Sequence, residues 1–309
     1  MTFLALLLAL LLALLCPLPQ QQRTQRWVIR LCRQAVRAAR LSRLPDGPAA
    51  WLLVVFGGGA LVWLAHGLLL AVHSFWAFAF SVGLLFLILH IRQDERMFSC
   101  VQRALAEEDA EAAAGCLGAW DGHDHSGAST AEVARLAIEQ AVLSAHRGVF
   151  GVLFWFVVLP GPVGAVMYRL AWQMREQAAR EGKEGHASGL EVFAGRAWEW
   201  MDAIPARLSA AAFSVIGNFE DAAACWRTQA RHWPERAAGV VLAAGAGALG
   251  MRLGLSARLD GQWVMRPELG VGAVADMEQM PRAARLLWRV PLLFLWVLAL
   301  LAIAGWVGR

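Results

Sequence analysis

Charge falls along this chain in blocks. Residues 1–18 (MTFLALLLALLLALLCPL) carry none, Trp51 to Ile91 runs 41 positions without a formal charge, and Val290 to Gly308 runs 19. A hydrocarbon core about 30 Å thick needs roughly 20 apolar residues at ~1.5 Å per residue, so the long run predicts two helices and the C-terminal run one. The break in the long run falls near His73-Ser74, and Gly57-Gly58-Gly59 offers a small-residue surface for close helix packing. The N-terminal stretch lacks the basic leader and small-residue cleavage site of a signal peptide and reads as an uncleaved helix. A further apolar stretch, Val149 to Trp172, is interrupted by Pro160-Gly161-Pro162. Two prolines remove helix donors there and a glycine frees the backbone, so the stretch is a kinked span or a re-entrant hairpin, the hairpin being the favoured form.

These blocks predict an all-α, polytopic integral membrane protein with about four transmembrane helices, one Pro-Gly-Pro-broken or re-entrant element, and amphipathic cytoplasmic helices. The expected segments are a transmembrane helix at 1–19, a basic juxtamembrane helix at 20–48, two transmembrane helices at 49–91, an acidic cytoplasmic helical loop at 92–147, the broken element at 148–174, a polar and amphipathic segment at 175–285, and a C-terminal transmembrane helix at 286–309. Ile204 to Ile216 and Ala237 to Leu255 are short or glycine-rich and read as buried or interfacial helices. No repeat or strand-period pattern stands out.

Composition agrees: 58% of residues are hydrophobic, 17% charged, and 15 are Trp, too apolar for an ordinary soluble enzyme. The net charge of +4 conceals a polarised distribution. Residues 20–48 hold seven Arg against Asp46, with Arg23, Arg26, Arg30, Arg33, Arg37 and Arg40 on one helical stripe, whereas residues 92–147 hold 5 Arg and 10 acids. The stripe suits anionic lipid and the positive-inside rule, and predicts a multi-pass membrane protein with residues 20–48 in the cytoplasm and the N-terminus outside. The basic excess is local, so nucleic acid is not an expected partner; the bilayer is. The five cysteines are scattered without a CxxC pair and are expected to be packing residues, neither a disulfide framework nor a zinc site.

Strong catalytic motifs for phosphate loops, zinc peptidases or serine hydrolases are absent. Asp121-Gly122-His123-Asp124-His125-Ser126-Gly127 alternates His and Asp as a divalent site could, although Gly and Ser equally describe a solvated linker. Glu132, Arg135 and Glu139 fall on one helix face, the spacing of an ion-paired surface helix. Tyr168, the chain's only tyrosine, is followed by Arg169, and Glu199, Asp202 and Arg207 bracket Ile204-Pro205-Ala206. Acids and a guanidinium beside a rigid proline suit a helix start or a metal-bound phosphate.

Taken in order, Glu132…Arg135…Glu139, Val152-Leu153-Phe154, Gly161…Gly164-Ala165…Tyr168-Arg169, Ile204-Pro205-Ala206-Arg207-Leu208-Ser209-Ala210, Gly250…Arg252-Leu253 and Gly261-Gln262-Trp263-Val264…Arg266-Pro267…Gly270 resemble the CobD/CbiB family, integral membrane proteins of cobalamin biosynthesis. The resemblance implies formation of adenosylcobinamide phosphate, in which the amine of an aminopropanol phosphate arm is joined to a carboxylate of adenosylcobyric acid, with Mg²⁺ and ATP as cofactors. Such amide formation needs an activated carboxyl, acids for the metal and cations for phosphate. Carried onto this chain, it assigns Glu139, Glu199 and Asp202 to catalysis, and Arg135, Tyr168, Arg169, Arg207, Trp263 and Arg266 to substrate binding. No metal ligands are assigned, and a corrinoid or another inner-membrane protein is the expected partner.

The chain departs from the family pattern where Leu143, Ser144, Arg147, Trp172, Gln173, Arg175 and Trp198 replace polar or acidic residues. Arg147 and Arg175 put positive charge where a metal would bind, which opposes Mg²⁺ coordination. The departures leave open whether the chain is an enzyme. Gly161-Pro162-Val163…Tyr168, Asp202 and Gly217…Glu220…Trp226 are similar to AmpE, a membrane protein linked to β-lactamase induction, which makes a non-catalytic signalling role the alternative.

Overall fold

The computed structural model describes residues 2–15, 30, 32–34, 47–89, 91–182 and 189–307. The basic stretch at 20–48 therefore lies outside the described residues except at 30, 32–34 and 47–48; of its arginines, Arg33 donates from Nε to Gln177 Oε1 at 3.4 Å. Helices α1 (Thr2–Leu15), α2 (Gly47–Val72), α3 (Ser74–Ile88), α4 (Ile91–Ala106), α5 (Ala110–Asp121), α6 (Thr130–Ala145), α7 (Gly151–Val158), α8 (Val163–Gly182), α9 (Gly189–Ile216), α10 (Phe219–Thr228), α11 (Arg236–Leu249) and α12 (Met280–Val307) make up nearly all of it. The chain is thus an all-α membrane protein with one small β segment. Four helices are long and apolar enough to cross a membrane: Pro48–Val72, Ser74–Ala106, Thr130–Val158 and Met277–Leu300. The N-terminal apolar helix is shorter, and the third of these spans begins well upstream of the apolar stretch that announces it in the sequence.

Two compact units divide the chain, Met1–His90 with Gly151–Asp202, and Ile91–Phe150 with Ala203–Arg309. In the first, α1 packs along α3, burying Ala5, Ala9 and Ala13 at one-turn spacing. The α2–α3 break falls at His73, whose side chain accepts a hydrogen bond from Phe75 N at 3.1 Å and so caps α3. Of the three consecutive glycines on α2, Gly58 and Gly59 lie against Leu170 and Met167 of α8, whereas Gly57 faces open space. The missing β-carbons let the two backbones approach, which is how helices associate where no water drives them together. Much of the rest of α2, including Leu53, Leu61, Trp63, Leu68 and Val72, is exposed, as a lipid-facing helix requires.

The Pro160-Gly161-Pro162 break turns the chain back on itself. Gly161 has φ +65, a left-handed conformation that glycine alone adopts freely, and α8 packs against α7 after the turn. Gly164 sits against the Trp155 carbonyl, and Gly151 makes room for the Tyr168 ring.

The second unit is built around α6, whose residues Val133, Ala134, Leu136, Ala137, Ile138, Ala141 and Val142 are all buried. The Ala/Gly-rich α11 packs against it, with Gly245 over Val142. Gly217, Gly239 and Gly247 bring α10 and its flanks to backbone contact with α11. Between α6 and α7 the helix widens into a π turn, His146–Phe150. Helices α4 and α5 form a hairpin joined by a Cys100–Cys116 disulfide. This corrects the expectation that no cysteines pair: the partners lie 16 residues apart, a spacing that the reversal between α4 and α5 closes and that no local pattern reveals. Cys32 and Cys225 are free and buried, and burial, with Asp221 nearby, pushes the Cys225 thiol up.

After α11 come strands the hydrophobic pattern does not announce. β1 (Met251–Gly254) pairs antiparallel with β4 (Glu268–Gly270) and parallel with β5 (Ala273–Val274), and β2 (Ala257–Leu259) pairs antiparallel with β3 (Gln262–Val264). The β2–β3 turn is Asp260-Gly261, both at positive φ, the geometry that a two-residue hairpin with right-handed strand twist demands. Three-residue strands are too short to show alternation above the noise of the sequence.

The glycine contacts yield a test. A β-carbon at Gly164 collides with backbone, which cannot rotate away, whereas one at Gly67 meets nothing within 4 Å. Gly164→Ala is expected to destabilise the purified protein by about 1–3 kcal/mol in thermal unfolding, with Gly67→Ala neutral or slightly stabilising.

Candidate functional site

On α6, Ser129 caps the helix by accepting from Glu132 N, and Glu132, Arg135 and Glu139 then project onto one face. All three are buried, which overturns the surface-helix reading of their spacing. Their partners lie between the end of β1 and the middle of β2. Glu132 Oε1 accepts from Arg258 N at 2.6 Å, Arg135 Nη2 donates to the Ser256 carbonyl at 2.9 Å, and Glu139 Oε1 accepts from Gly254 N at 2.9 Å. The contacts run antiparallel: as α6 advances from residue 132 to 139, the partner backbone retreats from 258 to 254. Gly254 (φ +75) and Leu255 (φ +64) take left-handed conformations, so the partner chain bends as it leaves β1.

Arg266 closes the arrangement. Its Nη1 donates to Glu139 Oε2 at 2.8 Å, its Nε to the Leu255 carbonyl at 3.1 Å, and its Nη2 to the Gly254 carbonyl at 3.3 Å. The guanidinium also lies over the Trp233 ring, 5.6 Å from its centroid. Arg135 Nε stands 3.9 Å from Glu139 Oε1, so one carboxylate answers two cations. Both Glu139 oxygens are therefore engaged.

The latch presents the β2–β3 hairpin. Trp263 is 69% exposed and Met265 85%, an apolar edge above a charged anchor. The hairpin tip is held from the loop after α5: Asp260 receives the Asp124 amide at 2.9 Å, with His123 Nδ1 at 3.1 Å, and donates its own amide to the Asp124 carbonyl at 2.9 Å. His125 Nε2 pairs with Asp121 Oδ2 at 2.7 Å. Hydrogen bonds from the Ser126 amide and hydroxyl hold the Asp124 carboxyl below the usual range. The His/Asp alternation is thus a clamp, and among the described residues no three His, Cys, Asp or Glu side chains are grouped to hold a metal ion.

In the first unit Tyr168 and Asp202 meet. The tyrosine hydroxyl donates to Asp202 Oδ1 at 2.7 Å, both residues are buried, and the Tyr168 ring lies 4.9 Å from that of Trp198. The Trp172 ring lies tilted against Trp198 with centroids 5.0 Å apart and carries the Arg175 guanidinium above it at 5.0 Å. Arg169 is half-buried, and Glu199, on α9, is exposed. Arg207, farther along α9, is also exposed, its Nη1 donating to the Ala203 carbonyl at 2.6 Å. The residues assigned from sequence are thus two bonded sets, Arg135 with Glu139 and Arg266, and Tyr168 with Asp202, alongside exposed side chains at Glu199, Arg207 and Trp263. Of the three acids assigned to catalysis, Glu139 belongs to the second unit and Glu199 and Asp202 to the first.

Two polar contacts of the π turn carry no sequence signal, because their partners are 88 and 63 residues away. Arg147 Nη2 lies 3.1 Å from both oxygens of Glu235, and His146 Nδ1 is 2.9 Å from Ser209 Oγ. The Arg147 charge is met by an acid, so it is not a free cation. That removes part of the objection drawn from this position.

A family model for the CobD/CbiB protein matches residues 6–287. The chain belongs to the CobD/CbiB family. Its relatives include the cobalamin biosynthesis protein CobD of Chromobacterium violaceum, 35% identical over 283 residues and covering 89% of this chain and 88% of the relative. The protein of the same name from Stutzerimonas stutzeri is 34% identical over 278 residues, 88% and 82% of the two chains. The cobalamin biosynthesis protein CbiB of Salmonella typhi is 25% identical over 286 residues, 85% of each. No solved structure matches, and the likeness to AmpE finds no support. This CobD/CbiB-family chain is accordingly a bacterial membrane protein.

Glu139→Gln and Arg266→Gln each break a buried pair and leave its partner unanswered. Each is expected to cost about 3–5 kcal/mol in unfolding of the purified protein, with the double variant costing less than the sum of the two. Additive losses would show that the two side chains do not act as one unit.

Proposed function

We propose that this protein acts in cobalamin biosynthesis at the step that joins adenosylcobyric acid to an aminopropanol phosphate arm, from the bacterial inner membrane with a periplasmic N-terminus. Support comes from family membership over most of the chain and from one observation above all. Elements that carry the family resemblance, around residues 132–139, 252–254 and 261–267, are far apart in sequence yet meet in a single bonded network at Glu139 and Arg266.

In this reading Glu139 is a positioning residue: it fixes the segment 254–266 and thereby the exposed Trp263 edge. An indole face and the Met265 side chain suit the apolar rim of a corrinoid ring. Exposed Arg207 supplies a cation for the phosphate of the incoming arm. The chemistry requires the free amine to attack an activated carboxyl carbon, forming the amide bond as the activating group departs with the carboxyl oxygen. The buried Tyr168–Asp202 pair supports the fold of its own unit.

The test is complementation of a strain lacking the synthase, with growth made dependent on cobalamin formed from cobyric acid. This chain is expected to restore growth. Failure to do so while the protein is folded and membrane-inserted would overturn the reading. Trp263→Ala is expected to raise KM for the corrinoid about tenfold or more with little change in kcat, since it removes contact made equally in ground and transition states.

A further inference from the structure

The first third of α12 carries a second charged feature, unrelated to the latch. Arg282, Arg285 and Arg289 recur at three- and four-residue spacing, and all three are exposed. The same face continues through Leu292, Trp296, Leu300 and Ile303, all exposed as well. The adjoining face is committed inward: Ala283, Leu286 and Val290 are buried, and Phe294 stacks on Phe150 at 5.7 Å between centroids. Helix rotation is therefore set by packing, and the outward stripe changes along its length from three guanidiniums to bare hydrocarbon.

Among the described residues no acid pairs with these arginines. Asp276, the acid that begins this turn of the chain, spends its carboxylate capping the short 3₁₀ turn at Met277–Gln279 by accepting from Glu278 N. Glu278, one helical turn before Arg282, is exposed and makes no ion pair with it. The apolar part of the stripe belongs to the Met277–Leu300 segment, which is long and apolar enough to cross a membrane. Side chains on one helix face lie one above another, so Arg289 stands one turn above Leu292 and two above Trp296. That places the guanidiniums at the depth of phosphates when the hydrocarbon stripe lies among acyl chains.

We propose that Arg282, Arg285 and Arg289 form a binding strip for the headgroups of anionic phospholipid, whose acyl chains lie along Leu292, Trp296 and Ile303. Guanidinium is suited to this because its fork donates two hydrogen bonds to one phosphate and stays charged at any physiological pH. A zwitterionic headgroup offers the same phosphate with a cation attached and is the weaker ligand.

The full chain, purified in a zwitterionic detergent, is titrated with phosphatidylglycerol, phosphatidylcholine or inorganic phosphate, and the retained lipid is counted by native mass spectrometry. Phosphatidylglycerol is expected to be retained over phosphatidylcholine, and inorganic phosphate should not displace it at equal concentration. Replacing all three with Gln (Arg282→Gln, Arg285→Gln, Arg289→Gln) is expected to weaken phosphatidylglycerol retention roughly hundredfold, from the usual contribution of each basic residue beside an anionic surface. Lys at the same three positions should keep most of it. Arg285→Gln alone should give a partial loss. The same charge removed elsewhere, at exposed Arg227, Arg231 and Arg236, should leave retention unchanged. Equal retention of the two lipids, displacement by inorganic phosphate, or an equal loss in the Arg227, Arg231 and Arg236 variant would overturn the proposal.

Discussion

Glu132, Arg135 and Glu139 are buried on α6, and the backbone of residues 254–258 answers each one in turn. This constraint orders much of the second unit. An unanswered charge at such depth would cost several kcal/mol, so the segment after β1 is held in one register against α6. Arg266 then reaches back from beyond the hairpin to the same Glu139 carboxylate, closing a loop of chain around a single acid. The hairpin that carries Trp263 owes its position to this latch and to Asp260 at its tip, because its own three-residue strands bury little.

The first unit uses a different device. Its helices bury few polar groups and associate through absent side chains: Gly58 and Gly59 against α8, Gly151 against Tyr168, Gly164 against a carbonyl. In a lipid environment close van der Waals approach replaces hydrophobic driving force. The first unit thus relies on absent β-carbons, and the second adds to such glycine contacts the pairing of the charges it buries on α6. The exposed apolar surface of α2 is the complement of both, being the surface left for acyl chains.

Positions where this chain departs from its family's pattern have partners of their own. Arg147 faces Glu235, and Arg175 lies over Trp172. Glu235 offsets the Arg147 charge, and the Trp172 ring face covers the Arg175 guanidinium. Binding and positioning by the latch therefore carry the functional reading, and the acids assigned from the family pattern are spread between engaged and exposed places.

The sequence by itself determined the membrane class, the helix break at His73, a break at Pro160-Gly161-Pro162 and the family, because runs of uncharged residues, prolines and ordered short motifs are local signals; that the chain reverses at this break was decided by the packing of α8 on α7. It did not reveal that Glu132, Arg135 and Glu139 are buried, since i, i+3, i+7 spacing looks the same on a surface helix and against a strand. Nor did it reveal the Cys100–Cys116 disulfide, the β segment, or the pairing of His146 and Arg147. Those depend on partners that only the tertiary structure brings near. Helix propensity and hydropathy act within a turn or two of chain, whereas burial of a charge is decided by what packs over it, and for Glu139 that is a guanidinium 127 residues away.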